Sequence, residues 1–241
     1  MKKVKVLGFD IFNDSFDVIH SIEGKILINT ISPNSYTISR RNILFKKALQ
    51  ASDIITLDGY YFNLASKLLG KISIPKKSGT DWFYYLMNYY NCKAGRIFFL
   101  GSTKNILEKI ENRSKKEYMN LITNSFNPPF KEDFDKDDLD KIITKINIFS
   151  PDVVFIGLTA PKQEILAFQL INHIDAKIVC TIGNVFDWFA GVQKQPGRVW
   201  VKLKLEWLIR TIRRPEILKR YPNIFYFFWI LFLNVIKLRK D

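Results

Sequence analysis

The chain alternates short apolar runs, bounded by turn residues, with longer segments whose apolar positions recur every three or four residues. Continuous short runs are typical of buried strands, and the longer spacing is typical of helices with one packed face. Strands are predicted at Val4–Gly8, Ile26–Ile31, Ile54–Leu57, Arg96–Leu100, Leu121–Thr123, Val153–Gly157 and Ile178–Ile182. Helices are predicted at Ser35–Gln50, Tyr61–Leu69, Asp81–Tyr90, Asn105–Arg113, Asp137–Phe149 and Pro161–His173. This alternation predicts an α/β fold with a mostly parallel, Rossmann-like sheet flanked by helices.

The C-terminal part of the chain differs from the rest in charge. The whole chain carries a formal net charge of +14, and residues 194–241 hold 12 Lys/Arg against 3 Asp/Glu. Such a basic segment indicates an anionic partner, which could be a membrane surface, a phosphate-bearing substrate or a nucleic acid. Within it, Arg210, Arg213 and Arg214 are spaced to share one face of an amphipathic helix that the next proline interrupts. We therefore predict an α/β domain over residues 1–193 and a basic helical appendage over residues 194–241.

The appendage contains thirteen consecutive residues, Ile224–Ile236, of which only Asn234 is polar. As a helix this run would cover roughly 20 Å, which is short of the roughly 30 Å hydrocarbon core of a bilayer. The pattern favours a helix in the membrane interface, with aromatic rings among the headgroups and Lys/Arg near acidic lipids. A C-terminal core helix docked on the sheet, or a buried dimer surface, is the alternative. Nucleic acid is disfavoured, because the aromatic residues are not interleaved with basic ones.

Polar residues follow the predicted strands at the edge where parallel sheets bind ligands, outside the carboxyl ends of the strands. Asp58 and Gly59 come directly after one apolar strand. By spacing alone they favour a strand-to-helix turn in which Asp accepts backbone N–H bonds. The functional interpretation is a carboxylate held at this edge as a general base. Ser32 and Asn34 follow another strand and are interpreted either as helix caps or as substrate contacts.

Three other strand ends carry candidate binding residues. Gly101 precedes Ser and Thr at the start of a helix that could bind phosphate, although no glycine-rich nucleotide motif accompanies it. Gln163 and Glu164 follow a fully apolar strand, and Asp187 lies between Phe and Trp after the last strand. A carboxylate flanked by aromatic residues is an awkward surface charge, which makes Asp187 a candidate for a ligand pocket.

A metal site is not predicted. Asp133 and Asp135 form the D-x-D pattern that many sugar-nucleotide transferases use to hold a divalent metal, but they lie in a charge run that favours a solvated helix start. The chain has two histidines, too few and too scattered for a zinc site or a Ser-His-Asp triad. Its two cysteines, Cys92 and Cys180, are interpreted as reduced core residues of a cytosolic protein.

Several of these segments together resemble the WecG/TagA/CpsF family, glycosyltransferase family 26. They keep their order and spacing from about residue 4 to residue 221. The matching segments are SPN, LDG, SGTD (Ser78–Asp81), FFLGS, PDVVFIGLTAPKQE, IGNVFDWFAG and LEWLIR. The resemblance implies an inverting, metal-independent transfer of a sugar from a UDP-sugar to a lipid-diphosphate-linked saccharide in cell-surface polysaccharide synthesis. The implied sugar is of the N-acetylmannosamine type or a related hexose.

The resemblance also implies roles for individual residues. Asp58 would be the catalytic base, and Gln163 and Asp187 would line the nucleotide-sugar pocket. Arg210 and Arg220 would belong to an appendage that closes over the site and meets the acceptor diphosphate at the membrane. The remaining predicted substrate-binding residues are Ser32, Asn34, Gly59, Lys76, Asp81, Gly101 and Glu164.

The chain departs from the family pattern around the appendage. Lys194-Gln195-Pro196 stands where relatives commonly have Arg-Ala-Pro, and Ile217 and Lys76 stand where arginine is frequent. These differences bear on the acceptor contacts and on the sugar more than on the class of reaction.

The expected partners are a UDP-sugar, a polyprenyl-diphosphate-linked acceptor and an anionic membrane surface, with a homo-oligomer left open. No cofactor is expected, because the UDP-sugar is itself a substrate. The expected location is cytoplasmic, peripherally associated with the inner face of the cell membrane, since polar residues interrupt any N-terminal secretory signal. The alternative function is a non-catalytic module that binds nucleotides or polyanions at the membrane surface.

Overall fold

Eight strands form a single sheet in the computed structural model, which describes residues 1–70, 72–197, 199–200, 203 and 205–238. In chain order they are β1 (Lys3–Val6), β2 (Phe9–Phe12), β3 (Ile26–Ile31), β4 (Ile54–Leu57), β5 (Arg96–Gly101), β6 (Ile122–Phe126), β7 (Val153–Gly157) and β8 (Ile178–Thr181). Their order across the sheet is β1-β2-β4-β3-β8-β7-β5-β6. Every neighbouring pair is parallel except β1 with β2. The predicted α/β class with a mostly parallel sheet is confirmed.

The antiparallel edge is a hairpin, whereas the apolar pattern predicted a single strand there. Val6 pairs with Phe9, so Leu7 and Gly8 form a two-residue turn. Both turn residues have positive φ, 50° and 85°. Two successive positive φ values give the turn whose twist matches that of paired strands. The predicted strand Val4–Gly8 therefore ends at Val6, and the chain returns as β2.

Helices cover both faces of the sheet. The α-helices described by the structure are α1 (Pro33–Arg41), α2 (Ile43–Gln50), α3 (Tyr60–Gly70), α4 (Gly79–Asn91), α5 (Lys104–Glu117), α6 (Lys136–Phe149), α7 (Lys162–Leu170), α8 (Val185–Phe189), α9 (Glu206–Arg213) and α10 (Tyr221–Leu238). Short 3-10 helices lie at Phe16–Ser21 and Pro215–Arg220. The predicted helix Ser35–Gln50 is two helices, because Asn42 ends the first and caps the second, accepting from the Phe45 N–H at 2.9 Å.

Successive residues of the central strands pack into opposite halves of the core. Phe99 of β5 and Phe155 of β7 join the cluster that contains Trp82 of α4. Their neighbours Phe98 and Val154 join the cluster beneath α6 and α7. Strands with both faces buried have continuous apolar sequences. The positions of these central strands could therefore be predicted from the sequence. Cys180 is buried as predicted, but Cys92 is exposed at the end of α4 because it follows the last packed turn.

The C-terminal helix α10 docks on the body through one face. Phe227 and Leu231 are buried in a cluster with Tyr36 of α1 and Phe62 of α3, and the Phe227 and Phe62 ring centroids are 5.3 Å apart. This face is therefore docked on the body, as the alternative predicted, but mainly on helices α1 and α3 and not directly on the sheet. Another face of the helix carries an exposed aromatic stripe, made of Phe225, Tyr226, Trp229 and Phe232, with the exposed Leu233 beside them. Within the described residues, no helix is long and apolar enough to cross a bilayer.

Candidate active site

A cleft of about 790 Å³ lies at the carboxyl ends of six adjacent strands, β4, β3, β8, β7, β5 and β6. Each strand contributes the residues that follow it, and the appendage contributes residues of α9 and of the segment after it. This is the edge at which parallel sheets bind ligands. The predicted site residues that line the cleft are Ser32, Asn34, Asp58, Gln163, Glu164, Asp187, Arg210 and Arg220.

Two predicted site residues, Lys76 and Asp81, are engaged in structural contacts and are not among the cleft-lining residues. The Asp81 carboxylate accepts from the backbone N–H and the hydroxyl of Ser78, both at 2.7 Å, and so caps α4. Lys76 pairs with Glu206 of α9 at 3.0 Å. Both side chains therefore hold elements around the cleft, and Lys76 ties the appendage to the body.

The two predicted glycines, Gly59 and Gly101, also lie outside the cleft lining, and both have positive φ. At Gly101, φ is 121° and an added Cβ would lie 2.6 Å from the carbonyl oxygen of Gly157 on the neighbouring strand. Glycine adopts this backbone conformation without steric cost. Gly101 thus allows β5 to end close against β7, which is a structural role.

Asp58 lies half-buried at the end of β4, where its backbone N–H bonds to the Ile31 carbonyl at 2.9 Å. No described residue donates a hydrogen bond to its carboxylate, so the capping role that its spacing favoured is absent from the described part of the chain. Arg220 lies in the same cleft, where desolvation and the like charges of Arg214 and Arg210 lower its pKa while Asp58 raises it. Among the described residues, the cleft therefore brings a carboxylate that accepts no hydrogen bond within electrostatic reach of the Arg220 guanidinium.

The Gln163 side chain joins the loops that follow β7 and β8. Its amide nitrogen donates to Glu164 Oε1 at 2.9 Å, and its amide oxygen accepts from the Gly183 N–H at 3.0 Å. Gln163 and Glu164 are both buried. Gln163 therefore braces the cleft wall and keeps one amide hydrogen for a ligand.

Glu164 is the group whose titration should control stability around neutral pH. Burial raises its pKa to about 7, and its Oε2 has no hydrogen-bond partner among the described residues. Because the pKa of Glu164 is higher in the folded chain than its ordinary value of 4.5, the contribution of Glu164 to the free energy of unfolding is fully present below about pH 4.5. That contribution is lost as the pH rises through 7. Glutamine does not ionise, so we expect Glu164→Gln to lose up to about 3 kcal/mol less unfolding free energy than the unchanged protein as the pH rises. Thermal unfolding from pH 5 to pH 9 measures it, and parallel profiles for the two proteins would contradict it.

The appendage is fastened to the β8 loop by a polar network around Arg214. Arg214 Nη1 donates to Asn184 Oδ1 at 2.8 Å, and Asn184 Nδ2 donates to Gln193 Oε1 at 2.9 Å. Gln193 Nε2 in turn donates to Asp187 Oδ2 at 3.0 Å. Burial raises the pKa of Asp187, and Arg214 opposes that shift. The sequence indicated Asp187 and the arginine cluster separately, and the structure joins them.

Arg210 forms part of the cleft wall by stacking its guanidinium on the Trp188 ring, 4.8 Å from the ring centroid. Its only ion pair among the described residues is a long one, 3.8 Å to Glu206, and its Nε has no hydrogen-bond partner there. The guanidinium therefore has hydrogen-bond donors to offer to an anionic ligand.

Ser32 and Asn34 connect the cleft to α1 and to the appendage. Ser32 caps α1 by accepting from the Ser35 N–H at 3.2 Å, and it also lines the cleft. Asn34 Oδ1 accepts from Asn223 Nδ2 of α10 at 2.9 Å. Because Asn34 uses its oxygen in this bond, its amide hydrogens remain for the cleft. The capping interpretation is confirmed for Ser32.

The cleft as a whole favours anions. Its described lining contains six Lys/Arg and four Asp/Glu, and helices α1, α4, α5, α7 and α8 start at its wall. Helix N-termini direct backbone N–H groups and a partial positive charge at ligands. Among the described residues, no group of three or more His, Cys, Asp or Glu could hold a metal ion. Asp135 caps α6, accepting from the Asp138 N–H at 2.9 Å, so the solvated-helix interpretation of the D-x-D pattern is confirmed.

The described residues thus combine a mostly parallel α/β sheet with a cleft at its carboxyl edge that has more cationic than anionic side chains and that contains the Asp58 carboxylate. The family model described as "Glycosyl transferase WecG/TagA/CpsF family" matches residues 4–241. This chain therefore belongs to the WecG/TagA/CpsF family and is a glycosyltransferase.

Three relatives of this chain share the name N-acetylglucosaminyldiphosphoundecaprenol N-acetyl-beta-D-mannosaminyltransferase. The protein from Bacillus spizizenii is 26% identical over 197 residues, covering 82% of this chain and 75% of the relative. That from Bacillus subtilis strain 168 is 27% identical over 207 residues, covering 85% and 79%. That from Staphylococcus aureus strain MRSA252 is 23% identical over 238 residues, covering 93% and 91%.

Proposed function

We propose that this chain transfers a hexose of the N-acetylmannosamine type from a UDP-sugar to a polyprenyl-diphosphate-linked saccharide in cell-surface polysaccharide synthesis. The shared name of the relatives supports the sugar and the lipid-diphosphate acceptor. The observation that carries the proposal is the position of the Asp58 carboxylate in one cleft with Arg220 and the Gln163 loop. The non-catalytic alternative loses its support once the chain is placed in a glycosyltransferase family.

In the proposed reaction, Asp58 acts as the general base. Its carboxylate takes the proton of the acceptor hydroxyl while the hydroxyl oxygen forms a bond to C1 of the donor sugar. The bond from C1 to the diphosphate oxygen breaks on the opposite side, and UDP leaves with the bonding electrons. A single displacement of this kind inverts the anomeric centre. The absence of any hydrogen bond from described residues to the carboxylate leaves it free for the acceptor.

The charge that develops on the departing UDP is met in this proposal by protein groups without a metal ion. Arg210, Arg214 and Arg220 reach the cleft from the appendage, and helix N-termini face it from the body. Preorganised donors of this kind stabilise developing negative charge where water is excluded. Because the arginines belong to the appendage, the site is complete only when the appendage is folded over the cleft.

The acceptor would reach the cleft from the inner face of the cell membrane, on which the protein associates peripherally. The exposed aromatic stripe of α10 supports this placement, because aromatic side chains prefer the headgroup region. The Asn223–Asn34 hydrogen bond links the same helix to the cleft. Lipid contact and acceptor delivery would then occur through one element.

Replacing Trp229 and Phe232 of the stripe with Ser should weaken binding to vesicles that contain acidic lipid roughly tenfold or more, since each exposed ring loses its burial in the interface. Co-sedimentation with such vesicles measures the effect. Ile148→Ser and Met119→Ser, two exposed apolar positions on other elements, serve as the matched control. Equal binding by the stripe variant and the control would contradict the membrane assignment.

The reaction itself is tested with a panel of UDP-sugars against short-chain lipid-diphosphate-GlcNAc and lipid-diphosphate-glucose, in the presence of a chelator and read by mass. We expect one donor to add a single hexosamine or hexose and to release UDP. UDP binding without transfer to either acceptor would favour the non-catalytic module. Transfer that requires an added divalent ion would refute the metal-independent part of the proposal.

A further inference from the structure

The junction between helices α1 and α2 is an exposed and basic part of the body. Residues 33–52 include four Lys/Arg and no Asp or Glu. All four cations are exposed, and none of them forms an ion pair with another described residue. Two large apolar side chains beside them are exposed as well, Ile43 by 74% and Leu44 by 43%. We call this surface the basic corner, and it consists of Arg40, Arg41, Ile43, Leu44, Lys46 and Lys47.

Helix α2 carries apolar and cationic side chains of the basic corner on one exposed face. Ile43, Lys46 and Lys47 are spaced at i, i+3 and i+4, so they lie on the same side of the helix. The core side of α2 is formed by other residues, among them Phe45 and Leu49. Isolated apolar residues on a surface need no explanation. An exposed helix face that combines apolar and cationic side chains is different, because it is typical of surfaces that lie on acidic membranes.

The basic corner adjoins the aromatic stripe of α10. The Arg41 guanidinium lies over the Tyr226 ring, 5.3 Å from its centroid, and its Nη1 donates a long hydrogen bond to Asn223 Oδ1 at 3.5 Å. Thr37, one turn earlier in α1, donates to the Asn223 carbonyl at 2.7 Å. Helices α1, α2 and α10 contain no Asp or Glu. The stripe and the basic corner are therefore joined at Arg41, and the helices that carry them contribute only positive charge.

We propose that the basic corner is a second membrane contact, which belongs to the body and binds the headgroups of acidic lipids. This inference rests on the proposed peripheral association and adds to it a surface outside the appendage. Lys and Arg near an acidic membrane are attracted to it, and Ile43 and Leu44 leave water when they enter the interface.

A second contact would fix the orientation of the cleft relative to the membrane. Contact through α10 alone leaves the body free to rotate about the axis of that helix. The basic corner lies to one side of the axis, on α1 and α2, and its binding removes this rotation. The cleft then faces the membrane in one direction, which favours transfer to an acceptor that is itself held in the membrane.

The test measures co-sedimentation of the full chain with vesicles of phosphatidylcholine alone and of phosphatidylcholine mixed with phosphatidylglycerol. Lys46→Gln/Lys47→Gln should weaken binding to the acidic vesicles roughly tenfold or more, since each cation near an acidic surface adds to the attraction. Binding to the neutral vesicles should not change. Lys115→Gln/Lys116→Gln is the matched control, because it removes two adjacent exposed cations from the last turn of α5. The control should bind acidic vesicles almost as tightly as the unchanged protein.

A second variant, Ile43→Ser/Leu44→Ser, tests the apolar part of the basic corner. It should weaken binding to both kinds of vesicle roughly tenfold. Sugar transfer to a short-chain acceptor in solution should be unchanged in both corner variants, because no residue of the basic corner is among those that line the cleft. Transfer to a full-length acceptor in acidic vesicles should fall.

Four results would overturn this inference. Equal binding of acidic vesicles by Lys46→Gln/Lys47→Gln and by the α5 control would remove the second contact. Equal weakening on acidic and neutral vesicles would show that the lysines do not act by their charge. A dimer that Ile43→Ser/Leu44→Ser dissociates in sedimentation velocity would assign the basic corner to a second copy of the chain. If the unchanged protein bound neither kind of vesicle, the proposed membrane association itself would fail, and that result is distinct from the others.

Discussion

Asp58→Asn is expected to lower the turnover of sugar transfer by about 10²–10⁴-fold, the usual contribution of a general base. Asparagine has nearly the same shape but cannot accept the proton of the acceptor hydroxyl. The Kd for UDP should stay close to its original value, because the proposed contacts to UDP come from cationic groups and backbone N–H groups. Initial rates with the best donor and acceptor, together with calorimetry of UDP binding, measure both quantities.

Asp10→Asn is the matched control for this substitution. Asp10 is an exposed aspartate on β2 and does not line the cleft, so the change removes the same charge without touching the site. We expect its turnover to equal that of the unchanged protein. Unaltered turnover in Asp58→Asn would exclude this residue as the base, and the reaction would then require another acceptor for the proton.

The sequence could predict the members of the site because of a property of parallel sheets. Asp58, Asn34, Gln163 and Asp187 are far apart along the chain, but each follows a strand that points the same way. Parallel strands end at one edge, so residues that follow them converge there. No knowledge of the strand order was needed to place these residues together.

The sequence could not predict the contacts that depend on how the appendage folds back onto the body. The bonds that link Arg214 to Asn184, and Asn223 to Asn34, join positions separated by 30 and 189 residues. Their partners are fixed by the docking of α9 and α10, which no local pattern encodes. The same holds for the ion pair that joins Lys76 to Glu206 of α9.

Continuous apolar runs also conceal which face of an element is buried. The run Ile224–Ile236 has almost no polar position to mark a face, so its pattern favoured a helix in the membrane interface without excluding docking on the sheet. In the structure, Phe227 and Leu231 are buried, whereas Trp229 and Phe232 are exposed. The β1–β2 turn could not be predicted for a different reason: its Leu7 has a positive φ, which is uncommon for leucine.

Arg220→Gln is expected to lower kcat about 10²–10³-fold, as the loss of a preorganised donor to a developing negative charge does. Lys219→Gln is the matched control, because Lys219 is the adjacent cation, is exposed and does not line the cleft. The two variants lose the same charge from the appendage, so attraction to an acidic membrane should weaken equally in both. A lower kcat in Arg220→Gln than in Lys219→Gln would therefore report a role of Arg220 inside the cleft.

The double variant Asp58→Asn/Arg220→Gln decides whether the two groups act in the same step. Residues that stabilise one transition state give non-additive losses when both are removed. If Asp58 takes the proton while Arg220 meets the charge on the leaving UDP, the double variant should lose far less than the product of the two single losses. A loss equal to that product would show that the two residues act in different steps. Arg220 would then bind the acceptor diphosphate, and the charge on the departing UDP would be stabilised by Arg210, Arg214 and the helix N-termini.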